Sequence, residues 1–274
     1  MTERRRRRTV APGAAAPGGP APGVTMHVAE SESDLHGAAA AAVVAILGQA
    51  IAQRRRARWV LAGGSTPLGL YRALASRHRR ALDWSRVEFF WGDERAVPRD
   101  HPESNYGAAL RSLLAPLAIA RLRMFPIRGG AGAAAAARDY DAVVARALAA
   151  DDDAWDLVLL GLGTDGHTAS LFPAAEAKAR APSWAVDTLA PEPPRQRVSL
   201  TLRALNRSRE VLFLAAGEAK APAVAGVLAG DPALPASWVR PAAGAVSWYL
   251  DTAAAGPAAA RAASRIQSPS APAE

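Results

Sequence analysis

A run of four aliphatic residues, Leu157 to Leu160, ends abruptly in the glycine-rich stretch "GLGTDGHTASLFP". Apolar runs of about four to eight residues closed by turn residues mark strands buried on both faces, which occur in parallel sheets covered by helices. The pattern returns in "VTMHVA", "RWVLAGG", "VEFFWGDE", "RLRMFPI", "RVSLTL", "EVLFLAAG" and "VSWYLD". Helical stretches separate most of these runs. The first is alanine-rich and spans Ser33 to Arg56, with Ser33 or Ser31 as its cap. "STPLGLYRALASR" follows, with Pro67 near its first position, where a missing N–H costs nothing. Further helices are predicted from near Ser104 or Asn105, over "AAAAARDYDAVVARALAA" and over "EAKAPAVAGVLAG". Strands alternating with helices predict the α/β class, with a mostly parallel sheet in three α/β/α layers and a single domain.

The flanks differ in character. Residues 1–23 are Arg, then Ala, Pro and Gly, and residues 254–274 repeat an Ala/Pro/Ser bias, so both are expected to be disordered tails around a folded domain over 24–253. The formal charge of +8 is concentrated, since residues 1–8 hold five arginines and one glutamate, half of the excess. No aromatic residues interleave with those arginines, so the run reads as a solvated basic tail and no nucleic-acid partner is expected. It is followed by Pro and Gly and lacks the apolar region of a twin-arginine export signal. With no cysteine in the chain, disulfides, thiolate nucleophiles and cysteine metal sites are excluded. No run approaches the ~18 consecutive apolar residues of a membrane helix. The reading is a cytoplasmic protein with no membrane partner. No coiled-coil repeat or apolar surface stripe sets an oligomeric state.

Ligands of open α/β sheets bind beyond the carboxyl ends of the strands, and four segments in or near such places carry chemistry. In "LAGGSTP", Gly63 and Gly64 allow close approach of the backbone and Ser65 and Thr66 bring hydroxyls. The helix that follows turns unpaired N–H groups and a positive dipole end toward the loop, which suits a phosphate. The loop lacks the "GK[ST]" of a Walker A motif and the third glycine of GxGxxG, so no nucleotide site is indicated. In "FFWGDERAVPRDHPESNYG", Asp93, Glu94 and Arg95 leave an aromatic strand, in a segment that reads as an irregular loop, and Asn105 offers a neutral donor and acceptor for sugar hydroxyls. His101 in the same loop reads as exposed. Of the five histidines, only His167 follows a buried strand with glycines, Gly163 and Gly166, just before it. An imidazole poised near neutral pH there is a candidate general base. Arg197 opens "RVSLTL", and Lys220 lies in the first turn of a helix, where a cation is unfavourable unless an anion sits beside it.

Other chemistries lack their residues. There is no GxSxG nucleophile elbow, no HExxH and no histidine pair at i, i+4. Water is left as the nucleophile and a histidine as its base, with no metal and no cofactor expected.

Taken together, "LAGGSTP", "GDERAVPRDHPESNYG", "LGLGTDGHTASLFP", "RVSLT", the Gly-x-x-Lys-Ala of "GEAKA", "PAS" near Ser237 and the late "WYLD" resemble the 6-phosphogluconolactonase family. The segments run in family order from about residue 25 to 253, with the arginine-rich extension outside the pattern. The resemblance implies a modified Rossmann-like sheet without a nucleotide, as in the sugar-phosphate isomerase and deaminase group. It also implies a phosphosugar lactone substrate, 6-phospho-D-glucono-1,5-lactone. On that resemblance, His167 takes a proton from the water that attacks the lactone carbonyl, and Asp165 orients the imidazole. The developing oxyanion is held by backbone N–H groups of the Gly163 to Gly166 turn or by Arg95. The phosphate sits among the Gly64 to Thr66 backbone, Arg197 and Lys220. Two alternatives stand beside this reading. One is a glucosamine-6-phosphate deaminase, which shares the Gly-Ser-Thr loop, a histidine and the later Arg and Lys but carries a different acidic loop. The other is a non-catalytic phosphosugar-binding module, which has no reason to retain His167.

Overall fold

In the computed structural model, which describes residues 24–150, 152–262 and 264–265, the aliphatic runs of the sequence become strands. In chain order the elements are β1 (Val24–Ala29), α1 (Glu32–Arg54), β2 (Ala57–Leu61), α2 (Ser65–Arg77), β3 (Val87–Trp91), β4 (Asp93–Arg95), α3 (Asn105–Ala109), β5 (Met124–Phe125), α4 (Ala133–Ala147), β6 (Leu157–Leu160), α5 (Glu176–Ala179), β7 (Ala185–Leu189), β8 (Gln196–Leu200), α6 (Leu202–Leu205), β9 (Glu210–Ala215), α7 (Ala221–Leu228), β10 (Ala245–Asp251), α8 (Thr252–Ala262) and β11 (Ser264–Arg265). The arginine-rich segment expected to be a tail lies outside the described residues.

Among the described residues, eight strands form one sheet in the order β11-β1-β10-β9-β6-β2-β3-β5, paired in parallel throughout. β2 and β6 are buried along their whole length, as strands covered on both faces must be. The path from β1 through β2 to β3 steps one way across the sheet, and that from β9 through β10 to β11 steps the other. Right-handed crossovers therefore put α1 and α2 on one face and α7 and α8 on the opposite one, and each pair of helices packs together. Three layers result, as the alternation of runs predicts.

Helix α1 starts where Ser31 accepts the Asp34 N–H at 3.1 Å and stops at Arg55, whose φ of 65° is left-handed. By length and composition α1 is apolar enough to cross a membrane. In the fold, Leu35, Ala39, Val43 and Leu47 are buried on the side that meets β2, β10 and α2, so it serves as a core helix.

Three features depart from the sequence reading. Asp93–Arg95, read as part of an irregular loop, and "RVSLTL", read into the parallel sheet, form with the unanticipated β7 a separate antiparallel sheet, β4-β8-β7. Gly92 hands the chain from one sheet to the other: its N–H donates to Leu61 O at 2.9 Å in the parallel ladder, and its carbonyl accepts the Leu200 N–H at 2.8 Å in the small one. Pro67 is the third helical residue rather than the first, because α2 begins at Ser65 with Gly64 as its cap. Of the unstructured tail expected over 254–274, the described part is corrected by α8, which is broken at Gly256 (φ 62°), and by β11, while 263 and 266–274 lie outside the described residues. Ala254 and Ala255 are buried, and the Asp251 carboxylate accepts the Ala254 N–H at 2.7 Å, so this alanine-rich stretch begins as a capped, packed helix.

Candidate active site

Two buried tyrosines hold the backbone where it leaves the sheet for the site. Tyr71 Oη accepts the Ala62 N–H at 3.0 Å and donates to Ala62 O at 2.7 Å, just past β2. Tyr140 does the same for Trp91 at the end of β3, at 2.8 and 2.9 Å. Burial pushes both phenols well above their ordinary pKa, so each keeps the proton it donates.

Past Ala62 the chain enters the "GGST" turn. A Cβ on Gly63 would lie 2.0 Å from Asn105 Oδ1, which explains the glycine. Gly64, at φ 96°, is the cap of α2 and supplies no side-chain acceptor, leaving the first N–H groups of that helix available to an anion.

The loop after β6 carries the histidine. His167 Nδ1 lies 2.6 Å from Asp165 Oδ1, which also accepts the His167 backbone N–H at 3.1 Å. Partial burial works to raise the Asp165 carboxyl, but these two bonds and the imidazole beside it outweigh that effect and hold it below its ordinary range. An ionised Asp165 favours the tautomer with the ring hydrogen on Nδ1, in which the lone pair is on Nε2. Gly163 has to be glycine because a Cβ there would lie 2.1 Å from His167 Nδ1. The N–H of Gly163 donates to His167 O at 2.8 Å and that of Gly166 to Gly163 O at 3.1 Å, so both are occupied within the turn.

The small sheet delivers the cations. Arg95 on β4 and Arg197 on β8 are direct partners across the antiparallel pair. The Nε–H of each is buried and has no hydrogen-bond acceptor. Burial, and next the charge of Arg95, push the Arg197 guanidinium below its ordinary pKa, against the pull of Asp93, Glu103 and Glu94. Arg95 is steered by its Nη1 donating to Glu103 O at 2.6 Å. Asn105 Nδ2 donates to Asp93 O at 3.0 Å and to its Oδ1 at 3.1 Å, tying α3 to β4.

One cavity of about 550 Å³ gathers most of these groups. Gly63, Gly64, Ser65 and Thr66 line it from one side, and Asp93, Arg95 and Asn105 from the next. Gly163, Asp165 and His167 face it from the β6 loop, and Arg197 and Lys220 close it. Two expected members do not line it. Glu94 is 2% exposed and accepts from the N–H groups of Arg95, Asn105 and Tyr106 and from Ser104 Oγ, at 2.7–3.1 Å, so it anchors the start of α3 instead of meeting a ligand. Gly166, at φ 78°, forms the turn, and its carbonyl accepts the Ala236 N–H at 3.0 Å. The sequence reading missed Thr168, Ser170 and Glu192 as lining residues. The first two stand in the "GHTASLFP" stretch itself. Glu192 arrives on the β7–β8 hairpin, whose only signal is the proline-rich "PEPPR" before β8. His101 is exposed, as expected. Among the described residues no group of three or more His, Asp or Glu side chains is arranged to hold a metal ion.

The sequence model of the glucosamine-6-phosphate isomerases/6-phosphogluconolactonase family matches residues 30–248, a span that contains every lining residue named above. The chain belongs to this family. Within it, a 6-phosphogluconolactonase of Mycobacterium tuberculosis is 41% identical over 240 residues, covering 82% of this chain and 94% of that protein. The 6-phosphogluconolactonase of Homo sapiens is 39% identical over 244 residues, covering 86% and 94%. The solved structure of a 6-phosphogluconolactonase from Trypanosoma cruzi matches with a TM-score of 0.76 at 31% identity, over 84% of this chain and 95% of that one. The family and α/β fold implied by the motifs are both borne out.

Proposed function

We propose that the protein is a hydrolase that opens 6-phospho-D-glucono-1,5-lactone to 6-phospho-D-gluconate, the lactonase step of the oxidative pentose phosphate pathway, in the cytoplasm. The observation that carries the reading is a pair of adjacent guanidiniums with unpaired, buried Nε–H groups, lining the same cavity as a carboxylate-oriented imidazole. Burial and the charge of Arg95 disfavour the Arg197 cation even though Asp93, Glu103 and Glu94 pull the other way and Glu103 Oε2 lies 3.7 Å from Arg95 Nη1, so the pair gains from a further anion. The amino end of α2 and Lys220 line the same space, so a phosphorylated substrate supplies that anion. The names borne by relatives at 39–41% identity support lactone hydrolysis over deamination.

The chemistry follows from this placement. His167 Nε2 takes a proton from water as its oxygen bonds to C1 of the lactone, while Asp165 stabilises the imidazolium through Nδ1–H. The carbonyl electron pair moves onto oxygen. The Gly163 and Gly166 N–H groups are engaged within their turn while the buried Arg95 Nε–H has no acceptor, and we assign the oxyanion to Arg95 and the phosphate to Arg197, Lys220 and the Ser65–Thr66 backbone. Collapse breaks the bond from C1 to the ring oxygen, which recovers the proton from His167. A lactone of this kind opens slowly in water unaided, so base and oxyanion donor, at about 3–4 kcal/mol each for ~10²- to 10³-fold effects, suffice.

The test is the rate of lactone disappearance with glucose-6-phosphate dehydrogenase generating the lactone in place. Acceleration far above the spontaneous rate, with no ammonia released from glucosamine 6-phosphate, is the expected result. Ammonia release with no lactone acceleration overturns the reading in favour of the deaminase.

A further inference from the structure

Ser170 lies three residues beyond His167 and is 1% exposed. Its polar groups are engaged by the three strands of the small sheet, one residue from each. Its Oγ donates to Asp93 Oδ2 on β4 at 2.6 Å, its N–H donates to Ser199 Oγ on β8 at 3.2 Å, and its carbonyl accepts from Thr188 Oγ1 on β7 at 2.9 Å. These partners belong to the same register as the arginines. Asp93 pairs with Ser199, and two residues on Arg95 pairs with Arg197, which in turn pairs with Thr188. Side chains two apart on a strand share a face. The face that carries the arginine pair therefore also holds Ser170.

The link from Ser170 back to His167 is short and stiff. Thr168 Oγ1 donates to Gly161 O at 2.8 Å, which ties the loop to the end of β6, and Leu171 N–H closes the turn onto Thr168 O at 3.0 Å. Between the two anchors Ala169 is held at φ 49°, left-handed and unfavourable for a residue with a Cβ. Such an outlier persists only where its neighbours over-determine it. Here the bonds of Thr168 on one side and Ser170 on the other do so.

We infer that Ser170 is a positioning residue: by docking the histidine loop onto the small sheet, it sets the placement of His167 relative to Arg95 and Arg197. The base belongs to a loop of the parallel sheet and the cations to the antiparallel one, so their spacing depends on a clamp between the two sheets. A misplacement of about 1 Å between reacting groups costs up to ~10² in rate. The inference rests on the lactonase reading for its kinetic readout.

The variants are Ser170→Ala, Ala169→Gly, the pair combined, and Thr188→Val as a milder loss of one bond to Ser170. In Ser170→Ala, kcat is expected to fall ~10- to 100-fold while KM stays within about threefold, because Ser170 hydrogen-bonds none of the phosphate-binding groups and its loss moves the histidine loop. Thr188→Val is expected to move kcat in the same direction by less. Ala169→Gly alone keeps kcat, and added to Ser170→Ala it recovers kcat several-fold without restoring a hydrogen bond, since glycine adopts the turn at no cost. A folded Ser170→Ala protein with kcat within twofold of an active wild type overturns the inference, as does a loss that Ala169→Gly leaves untouched. A readout independent of turnover is the imidazole NMR resonance of His167. It is expected to shift in Ser170→Ala and Thr188→Val while those of His27, His36, His78 and His101 stay in place, and an unmoved His167 resonance overturns the inference. A wild type without lactonase activity counts against the function and leaves this spectral test standing.

Discussion

Asp165 Oδ1 bonds twice to His167, to Nδ1 at 2.6 Å and to the backbone N–H at 3.1 Å, so one carboxylate oxygen fixes both the ring and the chain that carries it. Asp165→Asn removes the charge that holds the hydrogen on Nδ1 and presents an amide able to stabilise the wrong tautomer. We expect kcat to fall by at least ~10², with thermal stability nearly unchanged because the carboxylate is substantially solvent-exposed. Steady-state kinetics beside a melting curve checks both parts. A variant with native kcat contradicts the orienting role.

The adjacency of Arg95 and Arg197 gives a prediction of opposite sign for stability and binding. Replacing Arg197 by Met removes a desolvated cation that faces a like charge, so the ligand-free fold is expected to be as stable as the wild type or more so. The same change is expected to raise KM at least tenfold and to reduce the stabilisation of the fold by added 6-phosphogluconate. Melting temperatures with and without that ligand provide the measurement, and an undiminished shift in the variant counts against the anion assignment.

Glu94 accepts four hydrogen bonds at the start of α3, and burial raises its carboxyl pKa against three backbone N–H donors that lower it. In Glu94→Gln, the side-chain NH₂ has to face one of those donors. The expected cost is about 1–3 kcal/mol in denaturant unfolding. Activity is expected to fall as well, through displacement of Asn105 and not through any contact of residue 94 with substrate. A fully stable variant contradicts the anchoring role.

Stability should depend on pH through two histidines that do not line the cavity. Burial holds His27 below its ordinary pKa, and burial followed by lesser effects does the same for His36, where Glu32 and the Thr66 backbone oppose the shift and Arg72 adds to it. Below the ordinary value of 6.5 the unfolded chain binds protons that the folded chain resists, so the stabilising contribution is complete above that pH and is lost as pH falls. Melting temperature is therefore expected to drop from pH 7.5 to 5.5, and His36→Asn to flatten the drop. An equal slope in that variant refutes the assignment to His36.

How much of this was legible in the sequence depends on what kind of contact was involved. β2 and β6 were readable because burial on both faces demands a continuous apolar run, and His167 because its loop leaves such a run directly. The antiparallel sheet was not, because β4 is three residues long and all three are charged, and it is joined to the parallel sheet through Gly92, which bonds to Leu61 and Leu200 at once. For the same reason Glu94 read as a ligand. Acidic residues at a strand end look alike in sequence, whether they face a cavity or accept N–H groups from the next helix. Ser170 stood inside the most conspicuous motif, yet its partners Asp93, Thr188 and Ser199 lie 77, 18 and 29 residues away.

Everything in the proposed reaction turns on His167 as the base of a lactonase. The direct measurement is lactone hydrolysis by the wild type and His167→Ala, both with chelator present, together with the melting shift each shows on adding 6-phosphogluconate. Fast, chelator-resistant hydrolysis by the wild type, a loss of ~10²–10⁴ in kcat for the variant, and a retained ligand shift in both are expected. Variant kcat within a few-fold of the wild type, or no acceleration by folded wild-type protein, would contradict that role.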